Sequence, residues 1–191
     1  MKKFRNIPAI AVAVLMLAAC GGTGAADDGG SSAAVTGESS SVQSDNSHRV
    51  ARDGAQMQTT DKSKSTRVLN GGTKIRMHFG DTVIPGRLND SSAAKQLISM
   101  LPYTVHMSRF SHDFCGVMDK PLTDYTQDEV HYGWLNGDID FAQDADYFTV
   151  LFQDEERSEQ FGDQINLGVV DGDLSAIANL EGSYDVRIEL A

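Results

Sequence analysis

The chain has 191 residues and is acidic, since 27 Asp and Glu against 16 Lys and Arg give a net charge of −11 at pH 7. This charge repels polyanions and argues against nucleic acid as a partner. After Phe4 the next aromatic residue is Phe79, and all the remaining aromatic residues lie between Phe79 and Tyr184. The packed core is therefore expected in residues 73–191, a length that suits one small domain and excludes a large multidomain enzyme.

The first nineteen residues have the layout of a secretory signal. Lys2, Lys3 and Arg5 precede an apolar run over residues 7–19, and a basic head before a short apolar stretch is typical of exported proteins. The run is short for a permanent span of a hydrocarbon core about 30 Å thick. Residues 1–19 are thus expected to be a cleaved signal peptide.

The end of this segment, Leu17-Ala18-Ala19-Cys20, resembles the lipobox of bacterial lipoproteins. The resemblance implies a diacylglyceryl group on the Cys20 thiol and cleavage just before it. Membrane lipid is then a partner, and the protein is held at the extracytoplasmic face of the cell membrane, because several acyl chains exceed what stable anchoring needs. An ordinary cleaved signal with an incidental cysteine is the alternative. Lipidation would leave Cys115 as the only free thiol of the mature chain.

Residues 20–72 are expected to form a disordered tether that begins with the lipidated cysteine. They are rich in Gly, Ser, Ala and Thr and show no periodic apolar pattern, so burial would not offset the entropy lost on ordering them. A flexible coil of this length spans about 40 Å. The basic second half could touch an anionic polymer or lipid, but a solvated linker is favoured.

From Thr73 onward the apolar residues recur with the period of strands and, in two places, of helices. The pattern predicts strands over 73–79 and 82–88, a helix over 93–101, a strand over 103–110, an irregular loop over 111–136, a short strand from 139, strands over 147–152 and 165–169, a helix over 174–180 and a strand over 184–190. Ser91 and Asp173 lie where N-caps are needed. Because the helices do not alternate regularly with the strands, a doubly wound parallel sheet is disfavoured. The expected fold class is mainly β, a closed or nearly closed barrel with two short helices, whose closure removes exposed sheet edges.

Several stretches of residues 73–191 resemble small bacterial cyclophilin-like domains. In chain order they are Thr73-Lys74-Ile75-Arg76-Met77 followed by Gly80-Asp81-Thr82, the helix Ala93–Leu101 running through Pro102 into a strand, Gly137-Asp138-Ile139, Ile165-Asn166-Leu167-Gly168, and the last helix and strand. The resemblance implies a cyclophilin-like β-barrel capped by helices. It belongs to a group of domains that mostly have no assigned activity.

Cyclophilins proper isomerise X–Pro bonds by placing an arginine against the prolyl carbonyl over an apolar floor. Arg109-Phe110, with Phe114 and Met118 beyond, offers those residue types. However, the arginine-bearing strand pattern of cyclophilins and the Gln-Gly-Gly stretch after it are missing. Arg109 is therefore favoured as a charged residue at a strand end, and no appreciable isomerase activity is expected.

A ligand cleft is expected where the loop 111–136 meets the barrel. The candidate residues are Arg109, Phe110, Phe114, Met118, Tyr125 and Trp134. Aromatic residues in an irregular loop could form the floor of a cleft for a peptide or a small molecule. The alternative is that they only cover one end of the barrel.

No catalytic residue, cofactor or metal site is expected. The stretch Ser111–Cys115 sets a thiol beside an imidazole, but neighbours in sequence seldom have the geometry of nucleophilic catalysis. The histidines lack the spacing of zinc ligands. Asp138, Asp140, Asp144 and Asp146 miss the spacing of an EF-hand loop, and a solvated acidic turn is favoured over a calcium site.

The lipobox, the tether and the lack of a catalytic set together favour a lipid-anchored, non-catalytic module outside the cytoplasmic membrane. It would act as a monomeric domain that binds a peptide, a small molecule or a protein. Two alternatives stay open, a peptidyl-prolyl isomerase or chaperone for secreted chains, and an accessory subunit of a membrane redox or transport system.

Overall fold

The computed structural model describes residues 55–58 and 60–191. The predicted signal peptide, the lipobox with Cys20 and the first part of the predicted tether lie outside these residues. The elements are β1 Thr73–Phe79, β2 Thr82–Leu88, α1 Ser92–Met100, β3 Tyr103–Arg109, β4 Asp113–Val117, β5 Val130–His131, β6 Asp138–Ala142, β7 Tyr147–Leu151, β8 Gln164–Val170, α2 Leu174–Ala178 and β9 Ser183–Leu190. Within these described residues, the 3₁₀ helix Gln127–Glu129 precedes β5 and the 3₁₀ helix Glu155–Gln160 follows β7. No helix in the described ranges is long and apolar enough to cross a bilayer.

Eight antiparallel strands close into a barrel. Their order is β2, β1, β9, β3, β4, β7, β6 and β8, and β8 pairs back with β2 from Gly86 opposite Val170 to Leu88 opposite Gly168. The short strand β5 pairs with the start of β8. A barrel of eight strands has an interior that side chains can fill. The prediction of a closed, mainly β barrel is confirmed.

Alternate residues of the strands fill this interior, while the residues between them face outward. In β1, for example, Ile75 and Met77 are at most 1% exposed and Arg76 between them is exposed. Helix α1 starts at the predicted cap, where the Ser91 hydroxyl accepts a hydrogen bond from the backbone N–H of Ala94. This alternation separates the residues of the core from those on the outer surface of the barrel.

The loop 111–136, expected to be irregular, contains a strand that the sequence pattern did not reveal. Strand β4 pairs with β7 along its whole length, from Asp113 opposite Leu151 to Val117 opposite Tyr147. Its sequence, Asp-Phe-Cys-Gly-Val, has a single aromatic residue flanked by polar and small ones. Such a segment shows no clear period, and its partner strand rather than its own pattern makes it a strand.

A strap formed by residues 55–58 and 60–72 packs against the barrel, although these residues were assigned to the disordered tether. Ser65 and Thr66 are buried, at 8% and 5% exposed. The Ser65 hydroxyl donates to the Val170 carbonyl at 2.6 Å, and the Thr66 N–H donates to the Asn136 carbonyl at 2.7 Å. These hydrogen bonds fasten the segment to the barrel, and its sequence has no periodic apolar pattern that would indicate burial. The packed part of the chain begins before Thr73.

Candidate functional site

A cleft of about 630 Å³ lies on the outer wall of the barrel, where β4, β7, β6 and β8 run side by side. Its floor consists of residues whose neighbours along each strand point into the core. Asp113 and Cys115 of β4 lie opposite Leu151 and Thr149 of β7. At the far end of the floor, Ala142 of β6 pairs with both β7 and β8. Because four strands spread over residues 113–170 supply the floor, the barrel sheet is what brings these residues together.

An aromatic wall stands along one side of the cleft. The ring of His112 stacks on Trp134, with centroids 4.7 Å apart, and Phe161 contacts both rings at 5.5 and 5.1 Å. Trp134 is only 2% exposed, and its indole N–H donates to the Gln153 carbonyl at 3.0 Å. The wall is therefore held in place before any ligand arrives, and Phe161 is its exposed member.

The rim of the cleft is apolar. Seven large apolar side chains are well exposed among the described residues, namely Met57, Val83, Phe110, Val117, Tyr147, Phe161 and Leu190. Phe110, Tyr147 and Phe161 line the cleft, and Val117 lies opposite Tyr147 in the sheet. A cluster of exposed apolar side chains around a concave surface is typical of a binding site.

Two polar groups of the floor lack the hydrogen bonds that buried groups normally make. Asp113 and Gln164 are each 8% exposed. Within the described part of the chain, no donor reaches Oδ1 of Asp113 or Oε1 of Gln164. Burial raises the pKa of Asp113, with opposing contributions from His112 and Cys115. A buried acceptor without a partner costs about 1–3 kcal/mol, so a ligand that donates hydrogen bonds here recovers free energy.

The Cys115 thiol lies beside Asp113 on the same face of β4. Burial is the main reason that its pKa rises from 9.0 to about 12, and the charge of Asp113 and a hydrogen bond to it add to the rise. Nucleophilic cysteines have a lowered pKa. The environment of Cys115 thus acts against the thiolate that the Ser111–Cys115 motif would need.

The structure brings only two of the six predicted cleft residues to the cleft, Phe110 and Trp134. Phe114 and Met118 are wrong as cleft residues, because both are buried in the barrel core at 0% and 2% exposed. Tyr125 is half-buried and packs on Phe141, with ring centroids 6.3 Å apart. For these three residues, the structure agrees better with the alternative that they pack in or against the barrel core.

Arg109, the sixth predicted residue, also lies away from the cleft. It continues the inward-facing series of β3, and its guanidinium sits over the ring of Phe152 at 4.8 Å and near that of Phe114 at 5.9 Å. Glu181 is 3.6 Å from its Nε. Sequence analysis placed Arg109 beside Phe110 at one site, but adjacent residues at a strand end face opposite sides of the wall.

Sequence analysis did not predict Asp113, Cys115, Thr149 and Gln164 as floor residues or Tyr147 as a rim residue, and it considered the stretch Ser111–Cys115 only as a nucleophile. The available signal was the alternation within Tyr147–Leu151, where Thr149 is a polar residue at an outward position. That segment was interpreted instead as apolar on both faces. No pattern in a single strand indicates which neighbours complete a floor built from four strands.

A second group of buried polar residues lies under the strap. Asp138 and Asp140 are fully buried rather than part of a solvated acidic turn, which corrects the sequence interpretation of that stretch. Arg67 of the strap binds Asp138 through two hydrogen bonds, and Asn166 donates to Oδ1 of Asp140 at 2.9 Å. Burial and the charge of Asp138 raise the pKa of Asp140 well above its ordinary value. In the ranges that the structure covers, no three His, Cys, Asp or Glu side chains are arranged to hold a metal ion.

Comparison with known proteins gives one family match. The family model described as the cyclophilin-like family matches residues 77–189, which is more than half of the chain. No curated protein matches it significantly. Among solved structures, the chain is similar to the solution structure of the hypothetical protein AF2241 from Archaeoglobus fulgidus, with a TM-score of 0.46 and 11% identity, covering 65% of this chain and 100% of that one.

Proposed function

We propose that this chain, which belongs to the cyclophilin-like family, is an extracytoplasmic lipoprotein that binds a peptide ligand in the outer-wall cleft. The observation that carries the binding role is the combination of an apolar rim with unpartnered acceptors in one cleft of about 630 Å³. Its volume falls within the range of about 300–1,000 Å³ that ligand pockets occupy. The apolar rim can bury apolar groups of the ligand, and the acceptors can orient the ligand through hydrogen bonds.

The polar groups of the cleft support binding rather than X–Pro isomerisation. Isomerisation is helped by a donor at the prolyl carbonyl, and Arg109, the side chain suited to that task, sits over Phe152 instead. Asp113 and Gln164 line the cleft, and each has a buried oxygen acceptor without a partner. Unpartnered acceptors suit the N–H groups of a ligand and do not polarise its carbonyl groups. The isomerase alternative therefore has no supporting observation in the cleft.

The membrane placement rests on the sequence Leu17-Ala18-Ala19-Cys20. Metabolic labelling with an alkyne analogue of palmitate tests it, comparing the full-length protein with a Cys20→Ser variant in the producing bacterium. We expect label and membrane fractionation in the first and neither in the second. Cys115→Ser is the matched control, and it should keep the label. An unlabelled protein that fractionates with the cytosol would overturn the placement.

Titration of the full-length protein with short peptides tests the binding role. The probes are acetylated, amidated pentapeptides Ala-Leu-X-Leu-Ala in which X is lysine, norleucine, proline or glutamate. Trp134 is the only tryptophan and lines the cleft, so its fluorescence reports occupancy, and calorimetry gives an independent measure. We expect saturable binding of at least one of these peptides. If neither fluorescence nor calorimetry detected binding of any of the four peptides at millimolar concentration, the proposed binding role would be wrong.

Two sets of variants locate the binding. Phe110 and Tyr147 are exposed rim residues that make none of the ring contacts of Trp134, so the double variant Phe110→Ser, Tyr147→Ser removes apolar rim without disturbing the reporter. We expect it to weaken binding by about tenfold or more, since each buried large apolar side chain contributes about 1.5–3 kcal/mol. Val83→Ser is the control, because Val83 is 44% exposed on β2. Equal losses in both variants would place the binding elsewhere.

A further inference from the structure

The side chains that line the cleft include more carboxyl groups than cationic ones. Asp113 and Asp144 both line it, whereas no lysine or arginine does so among the described residues. Arg109 and Arg157 both lie outside this lining. Arg109 faces Phe152 and Glu181, and Arg157 lines an adjoining, smaller depression of about 220 Å³, which shares His112, Trp134 and Phe161 with the cleft. Apart from the imidazole of His112, the titratable side chains that line the cleft carry no positive charge, so a cation entering it meets mainly the carboxyl groups.

Unpartnered acceptors in the floor of the cleft independently indicate a ligand with hydrogen-bond donors. Asp113 is more than nine-tenths buried, and its Oδ1 has no hydrogen-bond donor in the part of the chain that the structure describes. Gln164, also more than nine-tenths buried, has an equally unpartnered Oε1. A buried carboxyl oxygen without a hydrogen-bond donor is unfavourable. Both groups are acceptors, so one ligand group with several N–H donors suits them together.

The apolar rim can contact the alkyl part of a side chain that carries such a donor group. Tyr147 and Phe110 are exposed aromatic residues on the lining, and aromatic faces attract cations as well as alkyl chains. The apolar surface continues beyond the lining to Val117, which is 58% exposed. A free small amine would leave this outer surface uncovered. A peptide segment with apolar residues beside the cation would cover it.

From these three features we infer that the cleft recognises a lysine or arginine side chain within an extended, apolar peptide, with the ammonium or guanidinium group held at Asp113. This inference rests on the proposed function and specifies its ligand. The net charge of −11 acts in the same direction, because long-range attraction speeds the encounter with cationic partners. Arginine suits the site through its planar fork of donors, and lysine suits it through its compact charge.

The test compares the lysine pentapeptide with its norleucine counterpart, which has a similar stem and no charge. We expect the lysine peptide to bind the full-length protein at least about tenfold more tightly, a ratio typical of one buried charge-assisted hydrogen bond. The excess affinity should shrink at high salt because screening weakens the attraction. Hexylamine alone serves as the free-amine arm. Its binding as tightly as the peptide would overturn the assignment to a peptide segment.

Asp113→Asn provides the matched variant, since it keeps the shape of the side chain and removes its charge. In this variant the lysine and norleucine peptides should bind with about equal affinity. The preference for lysine should persist in the control Asp90→Asn, which removes an exposed carboxylate outside the cleft lining. Should Asp113→Asn not fold, the comparison of peptides on the unaltered protein still decides. Equal affinity for the lysine and norleucine peptides overturns the inference while leaving the proposed function intact. Absence of binding by every peptide overturns the proposed function itself.

Discussion

Arg67 and Asp138 form a two-pronged ion pair that joins the strap to the first residue of β6. The Nε and Nη2 groups of Arg67 donate to Oδ1 and Oδ2 of Asp138 at 2.8 and 2.9 Å. The Asp138 side chain is fully buried, and that of Arg67 is 12% exposed. Oδ2 of Asp138 also accepts the backbone N–H of Leu135 at 2.9 Å. The strap is therefore fastened to the barrel wall by a desolvated charge pair.

Removing one member of this pair is expected to destabilise the fold strongly. Arg67→Ala leaves the buried carboxylate of Asp138 without its cation, which costs about 3–5 kcal/mol. The double variant Arg67→Ala, Asp138→Asn should recover part of the loss, because the uncompensated charge is then absent. Lys64→Ala is the control, since its pair with Asp61 is 68% exposed on the lysine side and exposed pairs contribute about 0–1 kcal/mol. Chemical denaturation gives the free energies of unfolding. Losses of equal size for Arg67→Ala and Lys64→Ala would mean that the buried ion pair contributes no more to stability than an exposed one.

The stability of the fold should depend on pH through Asp140. Burial raises the pKa of Asp140 above its ordinary value of 3.8, so the folded state keeps the proton at pH values where the unfolded state has lost it. The resulting stabilisation is fully present below pH 3.8 and disappears as the pH rises through the folded-state pKa. The free energy of unfolding of the unaltered protein, minus that of Asp140→Asn, should therefore fall with rising pH above pH 3.8. Its slope has a limit of about 1.4 kcal/mol per pH unit.

Asp173 supplies a control of opposite sign for this measurement. Hydrogen bonds from Ser175 lower the pKa of this exposed carboxylate. Its stabilising contribution is present above its ordinary pKa and disappears as the pH falls through the lowered one. The same difference taken with Asp173→Asn should thus rise with pH. If the Asp140 difference also rose, the buried carboxyl would be ionised in the folded state, against the expectation.

The elements that sequence alone predicted are those whose own residues carry a strong period or a cap. In β9, Val186 and Ile188 are fully buried at alternate positions, as the pattern indicated, and Ser91 caps α1. Strand β4 and the strap escaped prediction because their structure depends on partners. The strap is held by hydrogen bonds, such as that of Ser65 to Val170.

The site was harder to predict than the fold for a related reason. Asp113 and Gln164 are 51 positions apart in the printed sequence and meet only because the barrel places β4, β7, β6 and β8 side by side. Whether an aromatic residue faces the core or the cleft depends on its position in the alternation of a strand. Phe114 faces the core, whereas Phe110 lies exposed at the rim. Parity within β4 follows from its pairing with β7, and its own five residues do not reveal it.

The thiol of Cys115 is expected to react slowly with alkylating reagents. Its pKa of about 12, against an ordinary 9.0, leaves about a thousandfold less thiolate near neutral pH, and the thiolate is the reactive form. Iodoacetamide labelling of the full-length Cys20→Ser variant, in which Cys115 is the single cysteine, gives the rate by mass spectrometry. Unfolding in urea should raise that rate towards the rate of free cysteine.

Asp113→Asn should speed the same reaction in the folded protein. The carboxylate raises the pKa of Cys115 by its charge and its hydrogen bond, so removing the charge lowers the pKa and increases the thiolate. The rate should stay below that of the unfolded chain, because burial is the larger cause. Asp144→Asn is the control at the rim. A folded Cys115 that reacts as fast as free cysteine would contradict its burial beside Asp113.

Arg109 is expected to support the barrel end and to take no part in chemistry. Its side chain is 18% exposed, and its guanidinium lies over Phe152, so Arg109→Ala should lower the free energy of unfolding by about 1–2 kcal/mol through the lost cation–π contact and stem packing. The exposed Arg76→Ala serves as the control and should change it by less than about 0.5 kcal/mol. Peptide binding in the cleft should be unchanged in both variants. A coupled proline-peptide assay of the unaltered protein should show no appreciable turnover, and turnover that vanished in Arg109→Ala alone would instead make Arg109 catalytic.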